Sequence, residues 1–134
     1  MEEYTKKVME HFMNPHNVGE IPNADGIGNV SNPVCGDILR LYIKVEDEKI
    51  KDVKFRTFGC AAAIASSSIL TDLIKGKSIK EALKISNKTV VDALDGLPQP
   101  KIHCSLLAED GLKSAIEDCL KRKGISIKEF LNSR

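Results

Sequence analysis

The chain has no tryptophan, few aromatic residues of any kind (4%), and almost no net charge. So few aromatics exclude a stacking platform for nucleic-acid bases. With 20 basic and 19 acidic residues the formal charge is +1. Such a chain has no field to draw a polyanion, and nucleic acid is not expected as a partner. No apolar run approaches the roughly 20 residues of a membrane span. The longest, from Phe58 to Leu70, is interrupted by Ser66, Ser67 and Ser68. The start, Met1-Glu2-Glu3-Tyr4, is acidic and lacks the basic and apolar regions of a secretory leader. The expectation is a cytoplasmic protein with no membrane partner. Internal repeats and low-complexity segments are missing too.

What is present suits one ordinary domain, expected to span residues 1–134. Hydrophobic residues make up 42%, enough for a real core, and a chain of this size buries roughly two-thirds of its unfolded surface. Tyr4, Val8 and Phe12 recur at helical spacing, and Asn14 before Pro15 ends that helix near Met13. Residues 14–37 then hold four Gly, three Pro and five Asn. This reads as a long irregular stretch, of the kind that is often functional, with a third strand near Ile27 to Val30. Leu39, Leu41, Ile43 and Val45 alternate with polar positions, as do Val53, Phe55 and Thr57, which predicts a half-buried antiparallel hairpin.

Helices are expected after the strands. One begins at Ala61 and stops near Gly76. A short one runs from a capping box at Ser78 and Glu81 through Ile85. Another covers Val90 to Leu94 and ends at Asp95-Gly96. A long one runs from about Cys104 to Lys123, and a last short one, boxed by Ser126 and Glu129, continues through Leu131. Strands grouped before helices give an α+β fold rather than an alternating α/β one.

Three of the four cysteines sit at junctions. Cys35 lies at the end of the irregular stretch, Cys60 between the second strand and the helix after it, and Cys104 at the start of the long helix. In a hairpin the start of one strand neighbours the end of its partner, so Cys35 and Cys60 fall on one sheet edge. Helix N-termini favour thiolate, the form that binds metal and reacts. The neighbouring Gly36 and Gly59 let backbone approach a sulfur closely. These thiols with Asp37 or His103 make a four-ligand set. Thiolates select zinc, Cu(I) or iron–sulfur clusters, and Cys₃His also suits tetrahedral zinc. The spacing is not C-x-x-C, so no standard zinc-ribbon or ferredoxin pattern applies. Cys119, in mid-helix beside acids, reads as a small core residue. His11 and His16 read as ordinary surface and loop residues, and Lys121-Arg122-Lys123 as a solvated helix end.

At four ordered blocks the chain resembles the iron–sulfur cluster assembly scaffold family, of the IscU type and the NifU N-terminal domain. The blocks are His11-Phe12-Met13-Asn14-Pro15-His16-Asn17-Val18-Gly19, Cys35-Gly36-Asp37, Thr57-Phe58-Gly59-Cys60 with Ala63 to Ser68, and Leu97-Pro98 through Lys101-Ile102-His103-Cys104. The resemblance implies a three-stranded antiparallel sheet with helices packed on it. It implies a scaffold and carrier rather than an enzyme, with no catalytic residues. On it a [2Fe–2S] cluster is built by Cys35, Cys60 and Cys104, with Asp37 or His103 as the last ligand, and zinc can substitute for the cluster. Cys104 would be the persulfide acceptor. Implied partners are a cysteine desulfurase, iron and electron donors, apo iron–sulfur proteins and an Hsp70-type chaperone that grasps Leu97, Pro98 and Lys101. Formation of homo-oligomers is compatible with such a site.

The chaperone segment departs from the bacterial Leu-Pro-Pro-Val-Lys, reading Leu97-Pro98-Gln99-Pro100-Lys101 here. His103 and the short spacing before Cys104 favour the IscU type over the SufU type. Two other readings use the same residues: a structural zinc protein, and a sulfurtransferase with Cys104 as its persulfide nucleophile.

Overall fold

The computed structural model describes residues 4–33 and 36–132. Helix α1 (Lys6–Met13) starts where the Thr5 hydroxyl accepts the Val8 N–H, and Asn14 closes it. The Thr5 hydroxyl also donates to the Leu94 carbonyl at 2.5 Å, fastening the start of α1 to a distant turn.

Strands β1 (Gly26–Asn32), β2 (Asp37–Glu46) and β3 (Lys49–Phe58) form one antiparallel sheet in that order. The β2–β3 turn is two residues long, and both Asp47 (φ 54°) and Glu48 (φ 62°) take positive φ. That is the turn hand that matches the twist of the strands. Beyond β3, the Asn17–Gly19 segment pairs with Phe55 through a Phe55 N–H to Asn17 carbonyl bond (3.0 Å) and a Gly19 N–H to Phe55 carbonyl bond (2.9 Å). Ser78 bridges Lys49 on the same edge.

Strand β1 fills the middle of the stretch expected to be mostly irregular, and it is longer than the expected third strand. Its inward positions are Gly26 and Gly28, both buried, where a Cβ would collide with the backbone of the long helix. The small residues let sheet and helix approach closely, and they also hide the apolar alternation that would announce a strand.

Helices α2 (Ala61–Ile74), α3 (Ile79–Ala82), α4 (Asn87–Ala93), α5 (Ile102–Arg122) and α6 (Ile127–Asn132) follow, with a 3₁₀ turn at Gln99–Lys101 leading into α5. Ser78 with Glu81 forms the expected capping box, although α3 stops at Ala82 rather than Ile85. Ser86 with Thr89 forms a second box. At α6, Ser126 and Glu129 exchange the same pair of bonds.

The core lies between the inner sheet face (Leu39, Leu41, Ile43, Val53, Phe55) and α2 and α5 (Leu70, Ile74, Leu112, Ile116). Helix α2 has hardly any wet face: Ser66, Ser67, Ser68 and Thr71 are all buried. Ser67 and Thr71 return their hydroxyls to the Ala63 and Ser68 carbonyls of their own helix. Among the described residues no helix is long and apolar enough to cross a membrane.

Candidate metal centre

The hairpin register brings the start of β2 beside the end of β3. Ile38 pairs with Phe58, so Asp37 lies against Gly59, one step further on. Gly59 is required there by contact: a Cβ on it would stand 2.6 Å from Asp37 Cγ. Gly36, just before Asp37, takes φ +75°, a left-handed conformation open to glycine, and its N–H bonds the Asn32 carbonyl at 2.7 Å.

Cys60 occupies the N-cap of α2. Its backbone is extended and its side chain caps no helix N–H. The thiol turns to the site instead, 3.6 Å from Asp37 Oδ2 and 3.4 Å from Cys104 Sγ. That sulfur–sulfur separation is far beyond the roughly 2.05 Å of a disulfide.

Cys104 stands in the first turn of α5 and is 1% exposed. The hydroxyl of Ser105, next to it, lies within hydrogen-bonding reach of both the Ile102 carbonyl (2.6 Å) and Asn87 Oδ1, tying this turn to α4. Ala62, Ala63 and Cys104 make a small apolar cluster with Cys60, Leu97 and Tyr4 around it. His103 Nε2 lies 3.6 Å from the Cys104 sulfur.

Asp37, Cys60 and Cys104 thus converge, with one ligand atom of each within 4.8 Å of the others. Asp37 is 5% exposed. Among the described residues no cation forms an ion pair with it. A buried carboxylate without a cation is costly, and a metal ion bound here would supply the missing charge. Thiolate sulfur with carboxylate or imidazole is a donor set for zinc or iron–sulfur chemistry, not for calcium or magnesium. Cys35 lies outside the described residues.

The remaining cysteine and histidines fall elsewhere. Cys119 is buried where α5 meets Gly26, and burial pushes its thiol pKa up, which suits packing and not metal binding. His16 is exposed on its loop, as expected. His11 corrects the sequence reading: it is buried at 6% exposure, with Nδ1 2.7 Å from Ser68 Oγ. Its neighbours in α1 gave no hint, because its partner comes from α2.

A small α+β scaffold with a thiol-and-carboxylate centre at one end of its sheet is the class that fold and site define. Residues 3–126 match the family described as NifU-like N terminal domain, and the chain belongs to that family. It is 58% identical over 121 residues to the iron–sulfur cluster assembly scaffold protein IscU 1 of Archaeoglobus fulgidus, covering 90% of this chain and 79% of the relative. It is 52% identical over 127 residues to the mitochondrial iron sulfur cluster assembly protein 1 of Debaryomyces hansenii, covering 91% and 70%. The crystal structure of a nitrogen-fixing NifU-like protein (N-terminal) from Brucella abortus shares the fold. Its TM-score is 0.72 at 19% identity, over 88% of this chain and 94% of that one.

Proposed function

We propose that this protein is a scaffold on which an iron–sulfur cluster is assembled and from which it passes to other proteins. One observation carries the reading: Asp37, Cys60 and Cys104 meet at one end of the sheet in a chain closely related to named assembly scaffolds. Cys35, Cys60 and Cys104 hold the cluster as thiolates, and Asp37 or His103 takes the remaining position. The cargo is a [2Fe–2S] unit. Zinc fits the same donors when iron and sulfide are scarce.

Sulfur enters as a persulfide. The Cys104 thiolate attacks the outer sulfur of a cysteine desulfurase persulfide, a new S–S bond forms, and the desulfurase leaves as its thiolate. An electron pair from a reductant then cleaves the Cys104 persulfide, leaving the thiolate and a sulfide for the iron. The N–H groups at the start of α2, which no side chain caps, and the positive end of α5 favour the negative charge that gathers there. A carboxylate or imidazole binds a cluster less firmly than a fourth thiolate would, so the cargo is held for release.

Protein partners reach the centre across an apolar patch. Ile38 and Phe58, facing each other across the hairpin, are 51% and 79% exposed. Leu97, Pro98 and Lys101, half-buried around the turn before α5, are the residues an Hsp70-type chaperone grips. Such thiols work in a reducing compartment, the cytoplasm.

The test is purification without oxygen, with iron, zinc and acid-labile sulfide measured alongside the visible spectrum. Iron and sulfide in equal amounts, with charge-transfer bands lost in Cys60→Ser, are expected. If zinc alone is found, reconstitution with desulfurase, cysteine and ferrous iron is the deciding step. Its failure would overturn the reading. Within the scaffold reading, Asp37→Ala is expected to change the lifetime of the bound cluster, and a decay curve matching the unaltered protein would exclude Asp37 as a ligand.

A further inference from the structure

A second group of metal-binding side chains lies away from the cysteines. Asp72 is twelve residues beyond Cys60, about 18 Å along α2 at the usual rise. His11 comes from α1, His16 from the loop after it, and Asp72 from the last turn of α2. One nitrogen of each ring and one carboxylate oxygen lie within 4.8 Å of one another. The two imidazole rings stand 4.5 Å apart, centre to centre, tilted by 52°.

We propose that His11, His16 and Asp72 form a second site, which takes a divalent first-row transition ion through nitrogen and oxygen. Two imidazoles and a carboxylate are the donor set of catalytic zinc and of non-haem iron(II). The set is positioned from outside. Ser68 Oγ lies 2.7 Å from His11 Nδ1, which leaves Nε2 for the ion, and the same oxygen accepts the His16 backbone N–H at 2.8 Å. An oxygen acceptor that fixes ring orientation is the usual kind of support for a metal-binding histidine, and here a serine hydroxyl takes that place. Asn17 Nδ2 holds the other side of the carboxylate, 3.3 Å from Asp72 Oδ1.

His16 Nδ1 is 2.6 Å from Asp72 Oδ2 before any ion arrives. An entering ion replaces that contact, and the imidazole proton shifts to Nε2, the other neutral tautomer. Ligand atoms about 2.0–2.1 Å from one tetrahedral ion lie roughly 3.3 Å apart, so the His16–Asp72 pair opens from 2.6 Å to admit the ion. His16 and Asp72, with side chains 47% and 38% exposed, are free to make that movement. Water fills the remaining positions.

Cobalt(II) and zinc(II) titrations of the full chain test this directly. Cobalt bound by thiolates shows an intense near-ultraviolet charge-transfer band, whereas cobalt on nitrogen and oxygen shows only weak visible bands. The unaltered protein is expected to bind a second equivalent without added thiolate absorption. His16→Ala and Asp72→Asn, both at exposed positions, are each expected to weaken that second equivalent by about 100-fold or more while leaving the thiolate band intact. A single equivalent, all of it on thiolate, would overturn the proposal. So would a second equivalent that survives both substitutions. Zinc binding followed by calorimetry on the same variants gives a readout independent of cobalt's colour.

Discussion

Helices α3, α4 and α6 begin on serines that cap them, whereas α2 and α5, which carry Cys60 and Cys104, begin with no side-chain cap. The capped starts satisfy their first N–H groups locally. At α2 the cap position itself is Cys60, where a serine or aspartate would stabilise the helix better; α5 follows a 3₁₀ turn whose Gln99 carbonyl takes the Ile102 N–H, and Cys104 lies within its first turn. Local stability is thus given up at the start of α2, where the thiol stands in the cap position, and kept at the serine-capped starts.

The sharpest contrast is chemical. Cys60→Ser and Cys104→Ser are each expected to abolish retention of the cluster, read as lost charge-transfer absorption. Ser86→Ala, at a capped start, is expected to leave the cluster spectrum unchanged. An intact cluster in either cysteine variant would erase the distinction between the two kinds of helix start.

The next effect is steric. Gly59→Ala forces a methyl group into the Asp37 carboxylate and is expected to cost roughly 1–3 kcal/mol in urea unfolding. Adding Asp37→Ala should recover much of that loss. If the double variant is no better than the single one, the strain lies elsewhere.

Ser86→Ala itself should lower stability by about 1 kcal/mol, the usual worth of a cap. Cys60→Ser runs the other way: the hydroxyl can cap α2, and the metal-free variant is expected to match or slightly exceed the parent's urea midpoint. A large loss instead would mean that the Cys60 thiol supports the fold as well as the site.

Acid sharpens the same comparison. Glu81, bonded to the Ser78 backbone and hydroxyl, and Glu109, bonded to Lys113 and to the Asn87 N–H, both have pKa values below the ordinary 4.5. A carboxylate with a lowered folded pKa adds stability that is present above its unfolded pKa and lost as pH falls through the folded one. Stability should therefore begin to decline below about pH 4.5, and Glu109→Gln should flatten that decline. An unchanged slope would remove Glu109 from the account.

Much of the molecule is legible in its sequence where one residue determines local structure. The capping boxes at Ser78 and Ser126, the hairpin alternation from Leu39 to Thr57, and the stops at Gly76 and Gly124 are of this kind. The meeting of Asp37 with Cys60 also follows from the hairpin, because antiparallel register fixes it. Strand β1 is harder to see, because Gly26 and Gly28 face the helix where valines or isoleucines would betray a strand. The reach of Cys104 to the same point depends on the packing of α2 against α5 and on Ser105 meeting Asn87, contacts with no local signature. His11 is hidden for the same reason: its burial and its serine partner belong to the α1–α2 contact.

The segment laid along β3 has a consequence for assembly. An open sheet edge invites another chain to add a strand, yet here Asn17 and Gly19 already use the backbone groups of Phe55, and Ser78 meets Lys49 further along. At those positions the border is already paired. A second molecule adding a strand on this side would first have to displace those bonds, which works against runaway sheet growth.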